Sequence, residues 1–172
     1  MKQRIVAIAL AGGCMGTGGP LWAAERVELT TRVSGVVAEV LVKQGQRVKK
    51  GAVLLRLDKT VLQAMLDEAA AEQVRADADE ADARRDLGRA QELFDRTVSS
   101  TSELEAATLR HARAKAALSG ANARLVIAKK NLNDAELKAP FGGVVSSVPG
   151  GPGTVVTADC QPKPLVILSP QP

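Results

Sequence analysis

The sequence predicts an α+β protein: a small β-sandwich assembled from two separated stretches of chain, interrupted by a long antiparallel α-helical coiled-coil hairpin. Three observations carry this. Residues 27 to 57 and 137 to 168 are rich in valine and punctuated by glycine and proline, as short strands and turns are. Residues 59 to 135 contain no proline and only Gly88 and Gly120 as glycines, and are dominated by good helix formers. Within that middle stretch, apolar residues recur every seven positions in alternating steps of three and four, the spacing of a coiled-coil seam.

The amino terminus comes first. Lys2 and Arg4 precede the apolar run Ile5 to Ala11, and Pro20-Leu21-Trp22-Ala23-Ala24 follows. This order matches a secretory signal peptide over residues 1–24, cut near Ala23 or Ala24. The apolar run is too short to span a bilayer. Two variants remain open: an uncleaved helical anchor, and lipidation at Cys14, where Ala11-Gly12-Gly13-Cys14 loosely resembles a bacterial lipobox. Cleavage removes Cys14 and both leading cations, leaving a nearly neutral exported chain with Cys160 as its single thiol.

Composition excludes several chemistries. Apolar residues make up 45% of the 172, enough for a core, but aromatics only 2%. That argues against an aromatic-lined ligand pocket or a base-stacking platform. One histidine and two cysteines exclude a Cys/His zinc site and a disulfide framework. The net charge is +4 with its cations dispersed, so no nucleic-acid face is expected. Lone His111 falls inside the helical repeat, so no Ser-His-Asp or Cys-His site assembles, nor does a paired-acid one. The run Pro149 to Gly153 lacks the strand-to-helix context of a phosphate loop and reads as a hairpin turn. No enzyme, no metal and no cofactor is expected. Cys160, in a proline-rich loop, is either an incidental thiol or a link between chains.

In the first β stretch, residues 25–57, Val33, Val36, Val37, Val40 and Val42 are closely spaced, and Val48, Val53, Leu55 and Leu57 continue the pattern after turns at Gly45 and Gly51. The second, residues 137–172, repeats the style with Val144, Val145, Val148, Val155, Val156 and the run Leu165 to Leu168. Each half is too small to bury a core alone; together they reach the lower limit of a stable domain.

The hairpin spans residues 58–136 with its tip near 98–101, where Val98-Ser99-Ser100-Thr101-Ser102 breaks the helical pattern. Ser100 with Glu103, or Ser102 with Glu105, forms a capping box that restarts the helix. In the second helix Leu104, His111, Leu118, Leu125 and Leu132 make one row, and Ala107, Ala114, Ala121, Ala128 and Ala135 the other. In the first, Leu62, Ala69, Ala76, Ala83, Ala90 and Thr97 face Leu66, Gln73, Glu80, Leu87 and Phe94. Folding the chain between residues 100 and 101 sets Leu132 on Ala69, Leu125 on Ala76, Leu118 on Ala83, Ala114 on Leu87 and Ala107 on Phe94, one large side chain against one small in each layer. The same register puts Glu72 beside Lys129, Asp77 beside Arg124 and Asp86 beside Lys115. Charge agrees: residues 59 to 97 hold ten acids and six bases, residues 102 to 138 four acids and seven bases. The rival arrangement is two independent helices that pair with another chain. His111 falls opposite Ala90, either as a pH-sensitive weak point or as a polar residue tolerated near an open end. Glu80 and Gln73 must reach water, loosen the middle of the hairpin, or be covered by neighbouring hairpins.

Two motifs narrow the reading. The first half carries Val33-Ser34-Gly35-Val36-Val37, then Val40-x-Val42-x-x-Gly45-Gln46-x-Val48-x-x-Gly51-x-x-Leu54-x-x-Leu57-Asp58; the second opens Leu137-Lys138-Ala139-Pro140-Phe141-Gly142-Gly143-Val144-Val145. Together they resemble the two halves of a lipoyl-like, or biotinyl-like, domain split by a helical hairpin, as in the periplasmic adaptors, also called membrane fusion proteins or the HlyD family. The resemblance covers about residues 30 to 168. It implies a periplasmic subunit associated with the inner membrane, assembling as a homo-oligomeric ring and linking an inner-membrane transporter of the RND, ABC or MFS type to a TolC-like outer-membrane channel for efflux or secretion. It further implies a tip contact made by Arg89, Leu93 and Ser100, which fit the family's spacing: a charge-assisted hydrogen bond from the arginine, an apolar contact from the leucine and a hydrogen-bonding turn at the serine. Full adaptors continue into a β-barrel and a membrane-proximal domain, whereas this chain stops four residues after Leu168 and carries Asp159-Cys160-Gln161-Pro162-Lys163-Pro164 where the family has a glycine turn. A short adaptor or a truncated gene product has this outline. Two other functions fit parts of the pattern: a self-associating structural coiled-coil protein with no channel partner, and a lipoyl-type carrier using Lys59, which follows Asp58.

Overall fold

The structure is a computed structural model that describes residues 26–158 and 163–170. The leader expected over residues 1–24, Cys14 and Cys160 lie outside the described residues.

The first half supplies β1 (Val27–Leu29), β2 (Gly35–Val40), β3 (Arg47–Val48) and β4 (Val53–Leu57); the second supplies β5 (Glu136–Lys138), β6 (Gly143–Ser147), β7 (Val155–Val156) and β8 (Val166–Pro170). They form two four-stranded antiparallel sheets in the orders β1-β8-β6-β3 and β5-β4-β2-β7. Each sheet therefore takes two strands from each half, and neither half closes a sheet by itself.

The halves repeat one another. Gly35-Val36-Val37 in β2 corresponds to Gly143-Val144-Val145 in β6, and the turn glycine Gly45 corresponds to Gly153. The backbone bonds obey the same correspondence. Gly45 N–H donates to the Val145 carbonyl at 2.8 Å, and Gly153 N–H to the Val37 carbonyl at 2.8 Å. In return Val145 N–H donates to Gln46 and Val37 N–H to Thr154, both at 2.9 Å. Gly45 and Gly153 have φ of 80° and 83°, the left-handed region where a Cβ is strained. Val37 and Val145, the valines in this exchange, are fully buried, as are Leu54, Leu55, Leu57, Leu165, Val166 and Leu168. At about 1.5–3 kcal/mol for each large side chain, this burial is the main stabilising term of the sandwich.

Between β4 and β5 run α1 (Thr60–Asp95) and α2 (Thr101–Asp134). α1 is about 54 Å long at 1.5 Å per residue. β4 and β5 are antiparallel neighbours with Arg56 opposite Glu136, so the chain leaves and re-enters the sandwich at adjacent points and the helices must lie side by side. The seam is the one the heptads mark. Ala76, Ala107, Ala121 and Ala135 are buried, and the other members of the four rows are partly buried except Thr97 and Phe94, next to the tip.

The register within that seam differs from the sequence expectation. Glu72 meets Arg124 at 3.5 Å, not Lys129, and Asp86 meets Arg110 at 4.0 Å, not Lys115, in each case five residues earlier on α2. His111 sits at 3.0 Å from Glu80 and not opposite Ala90. These contacts all move the register away from a fold point between residues 100 and 101, toward earlier residues of the hairpin. Two constraints cause this. Ser100 belongs to α2 as its N-cap, which centres the turn earlier, over residues 96–100, and the β4–β5 pairing fixes the other end.

Candidate partner-contact site at the hairpin tip

The tip is built by two helix caps. α1 closes with Thr97 N–H donating to the Phe94 carbonyl and Val98 N–H to the Leu93 carbonyl, both at 2.9 Å, the paired bonds of a Schellman motif. That motif needs a left-handed residue after the C-cap, usually glycine, and here it is Thr97 at φ 63°. A β-branched side chain in that region carries strain of about 1–2 kcal/mol. α2 opens with Ser100 as N-cap. Its Oγ accepts from Glu103 N–H at 3.3 Å, and its own N–H donates to the Glu103 carboxylate at 3.1 Å, closing the capping box. The Ser99 hydroxyl also donates to Glu103. These bonds, that of Ser99 first and that of the Ser100 amide second, hold the Glu103 carboxyl below its ordinary value of 4.5.

Arg89 and Leu93 lie four residues apart and share one face of α1. The Arg89 guanidinium is exposed and donates to Asp86 on its own helix. Leu93 is 45% exposed. Ser100 stands across the turn, tied to Leu93 only through the Val98 backbone; no described hydrogen bond joins the side chains of Arg89 and Ser100. All three thus lie toward the tip of the hairpin, and no hydrogen bond among the described residues links their side chains. It adds two residues that the sequence reading did not assign to the tip surface: Phe94, expected in the seam, and Val98, at 73% exposure. With Leu93 they make an apolar cap at the end of a charged rod. The available signal was Val98 itself, a large apolar side chain inside a serine-rich break.

Elsewhere the polar groups are structural. At the hairpin base, the Glu136 carboxylate accepts from Lys59 Nζ at 2.7 Å and lies 3.3 Å from Lys138 Nζ and 3.5 Å from Arg56 Nε. Arg56 Nε is shielded from solvent and makes no hydrogen bond, so it meets Glu136 through charge alone. The Lys59 bond first, then that from Lys138, hold the Glu136 carboxyl below its ordinary value of 4.5. Lys59 is therefore engaged at the start of α1, and no free β-turn presents it as a carrier lysine. An open groove of about 750 Å³ runs between the helices near the base, lined by Leu62, Met65, Ala69, Ile127 and Ala128 with Glu72, Arg75 and Arg124 among its rim charges. Among the described residues no three metal-ligating side chains converge, and no helix is long and apolar enough to cross a membrane.

Known proteins share this arrangement. Residues 25–161 match the family described as CzcB-like, barrel-sandwich hybrid domain. An uncharacterized protein of Escherichia coli K12, YdhJ, is 34% identical over 125 residues, covering 73% of this chain and 44% of that protein. The efflux pump periplasmic linker BepD of Brucella suis is 31% identical over 133 residues, 77% of this chain and 34% of BepD. Among solved structures, a MacA–MexA chimera containing the Pseudomonas aeruginosa MexA α-hairpin domain aligns with a TM-score of 0.58 at 25% identity, over 85% of this chain and 46% of the chimera. The chain spans between about a third and somewhat under half of the length of the curated relatives it matches.

Proposed function

Since the chain belongs to the CzcB-like barrel-sandwich hybrid family of membrane fusion proteins, we propose that it serves as a periplasmic adaptor, non-enzymatic, that links an inner-membrane transporter to a TolC-like outer-membrane channel for efflux or secretion. The transporter is of the RND, ABC or MFS class. The sandwich acts as the anchoring body, copies of it form a ring, and the hairpins carry the contact surface away from it. Export by the amino-terminal leader places it in the periplasm, next to the inner membrane, with lipidation at Cys14 as one means of attachment.

The observation that supports this most directly is the tip. A hairpin about 54 Å long ends in a preorganised turn whose apolar cap, Leu93, Phe94 and Val98, faces solvent beside Arg89 and Ser100. Large exposed apolar side chains on a rigid, doubly capped turn are suited to docking against another protein, with Arg89 able to release Asp86 for an acceptor on the partner. A cysteine placed at Ser100 and crosslinked in membranes tests the assignment. Capture of a TolC-like channel is the expected result. Capture of further copies of this chain alone supports a self-associating coiled-coil protein and overturns the adaptor reading.

A further inference from the structure

Two polar residues interrupt the alanine- and leucine-lined seam, and they interrupt it together. His111 Nε2 of α2 lies 3.0 Å from Glu80 Oε1 of α1, with side chains 23% and 14% exposed. A carboxylate removed this far from water is costly unless it is paired. Their neighbours along the seam are alanines, Ala76 and Ala83 on α1 and Ala107 and Ala114 on α2, which offer no hydrogen bond. Among the described residues, the charged groups that flank the pair lie on these two helices. Asp77 and Arg84 flank Glu80 at one turn on α1. Arg110, Arg113 and Lys115 flank His111 on α2, and Arg110 approaches Asp86, which Arg89 also engages. The partner that faces His111 across the seam is Glu80.

We propose that Glu80 and His111 form a pH-gated clamp that closes the distal hairpin as the surroundings turn mildly acidic. With the imidazole neutral, the pair is a hydrogen bond to a charged carboxylate that is largely shielded from water. With the imidazole protonated, it is an ion pair in a partly dry seam, where charge attraction is stronger than at an exposed surface. Protonation of the imidazole strengthens the contact while the carboxylate stays charged, so the clamp tightens as the surroundings turn mildly acidic and weakens as pH rises. It sits fifteen residues from the end of α1 and ten from the start of α2, about 15–22 Å from the turn, and so governs how firmly the tip is held. The clamp is a property of the hairpin alone; its consequence, firmer presentation of the tip at mildly acid pH, rests on the adaptor reading.

His111 is the one histidine in the chain, so no other side chain ordinarily titrates between pH 5.5 and 7.5. Denaturation midpoints of the full chain are measured at both pH values for wild type, His111→Leu and Glu80→Gln. His111→Leu restores the heptad leucine and keeps the fold. The wild-type midpoint is expected to rise on going to pH 5.5, and each variant to lose most of that rise. A distance measurement between spin labels at exposed Asp82 and Arg113 is expected to narrow in distribution at pH 5.5 for wild type only. An equal pH response in wild type and His111→Leu, or a distance distribution independent of pH, overturns the clamp. A clamp that passes both measurements in a chain that captures no channel overturns the adaptor reading instead.

Discussion

The Gly45 amide donates to the Val145 carbonyl at 2.8 Å, joining residues one hundred apart in sequence across the two halves of the sandwich. Its counterpart runs from Gly153 to Val37. Both glycines stand at positive φ with open space where a Cβ would go, so an added methyl group strains the backbone without a clash. Gly45→Ala and Gly153→Ala are each expected to destabilise the protein by about 1–2 kcal/mol. Because every sheet contains strands of both halves, each variant is expected to shift one common transition followed by circular dichroism in urea. Two separate transitions would contradict the shared core.

Thr97 occupies a position that favours glycine. Thr97→Gly is expected to raise stability by about 0.5–1 kcal/mol, the strain relieved less the extra freedom glycine has in the unfolded chain. Thr97→Ala keeps the Cβ and leaves stability near wild type. Thermal denaturation of the three proteins side by side measures this.

The capping box gives a prediction with a pH sign. Ser100→Ala is expected to cost about 1 kcal/mol at neutral pH. Glu103 has a lowered pKa when folded, so its contribution is present above its ordinary 4.5 and disappears as pH falls through the folded value. The loss caused by Glu103→Gln should therefore be visible at pH 7 and vanish near pH 3. A difference that persists unchanged at low pH would show that the carboxylate charge is not what the cap uses.

The base of the hairpin should behave in the same direction. Glu136 draws in Lys59, Lys138 and Arg56, and its carboxyl is also held below 4.5. Glu136→Gln is expected to increase amide exchange at the start of α1 and in β5 at pH 7, because the contact across the β4–β5 exit is weakened. Below pH ~3 wild type and variant should match. Exchange confined to the tip would show that the base does not depend on this cluster.

At the tip, Leu93→Asp with Val98→Asp puts two charges on the apolar cap without touching the seam or the sandwich. Channel capture by the Ser100 crosslink is expected to fall at least tenfold while the denaturation midpoint stays within about 0.5 kcal/mol of wild type. Undiminished capture would place the contact elsewhere.

Much of the architecture was legible in the residues. Valine-rich stretches with turn glycines marked the strands, and the rows from Leu104 to Ala135 marked the face of α2 that is buried. Ser100 and Glu103 announced the cap they form. The internal match of Gly35-Val36-Val37 with Gly143-Val144-Val145 was present too, but only the reciprocal bonds at Gly45 and Gly153 show its meaning. Of the site, the spacing of Arg89, Leu93 and Ser100 was readable, whereas the outward turn of Phe94 was not. A heptad places Phe94 in the seam, and only the end of α1 one residue later leaves it partly without a partner helix.

By itself the sequence determined which stretches strand, which coil and which face of each helix turns inward, because these follow from local residue propensity and from the seven-residue period of the helices. The tertiary structure decided the register between the helices. A heptad pattern looks the same after a slip of seven residues, so local periodicity has no preference among such slips. The pairing of β4 with β5 and the turn over residues 96–100 choose one. That choice sets His111 against Glu80 and turns two apparent flaws in separate helices into one contact.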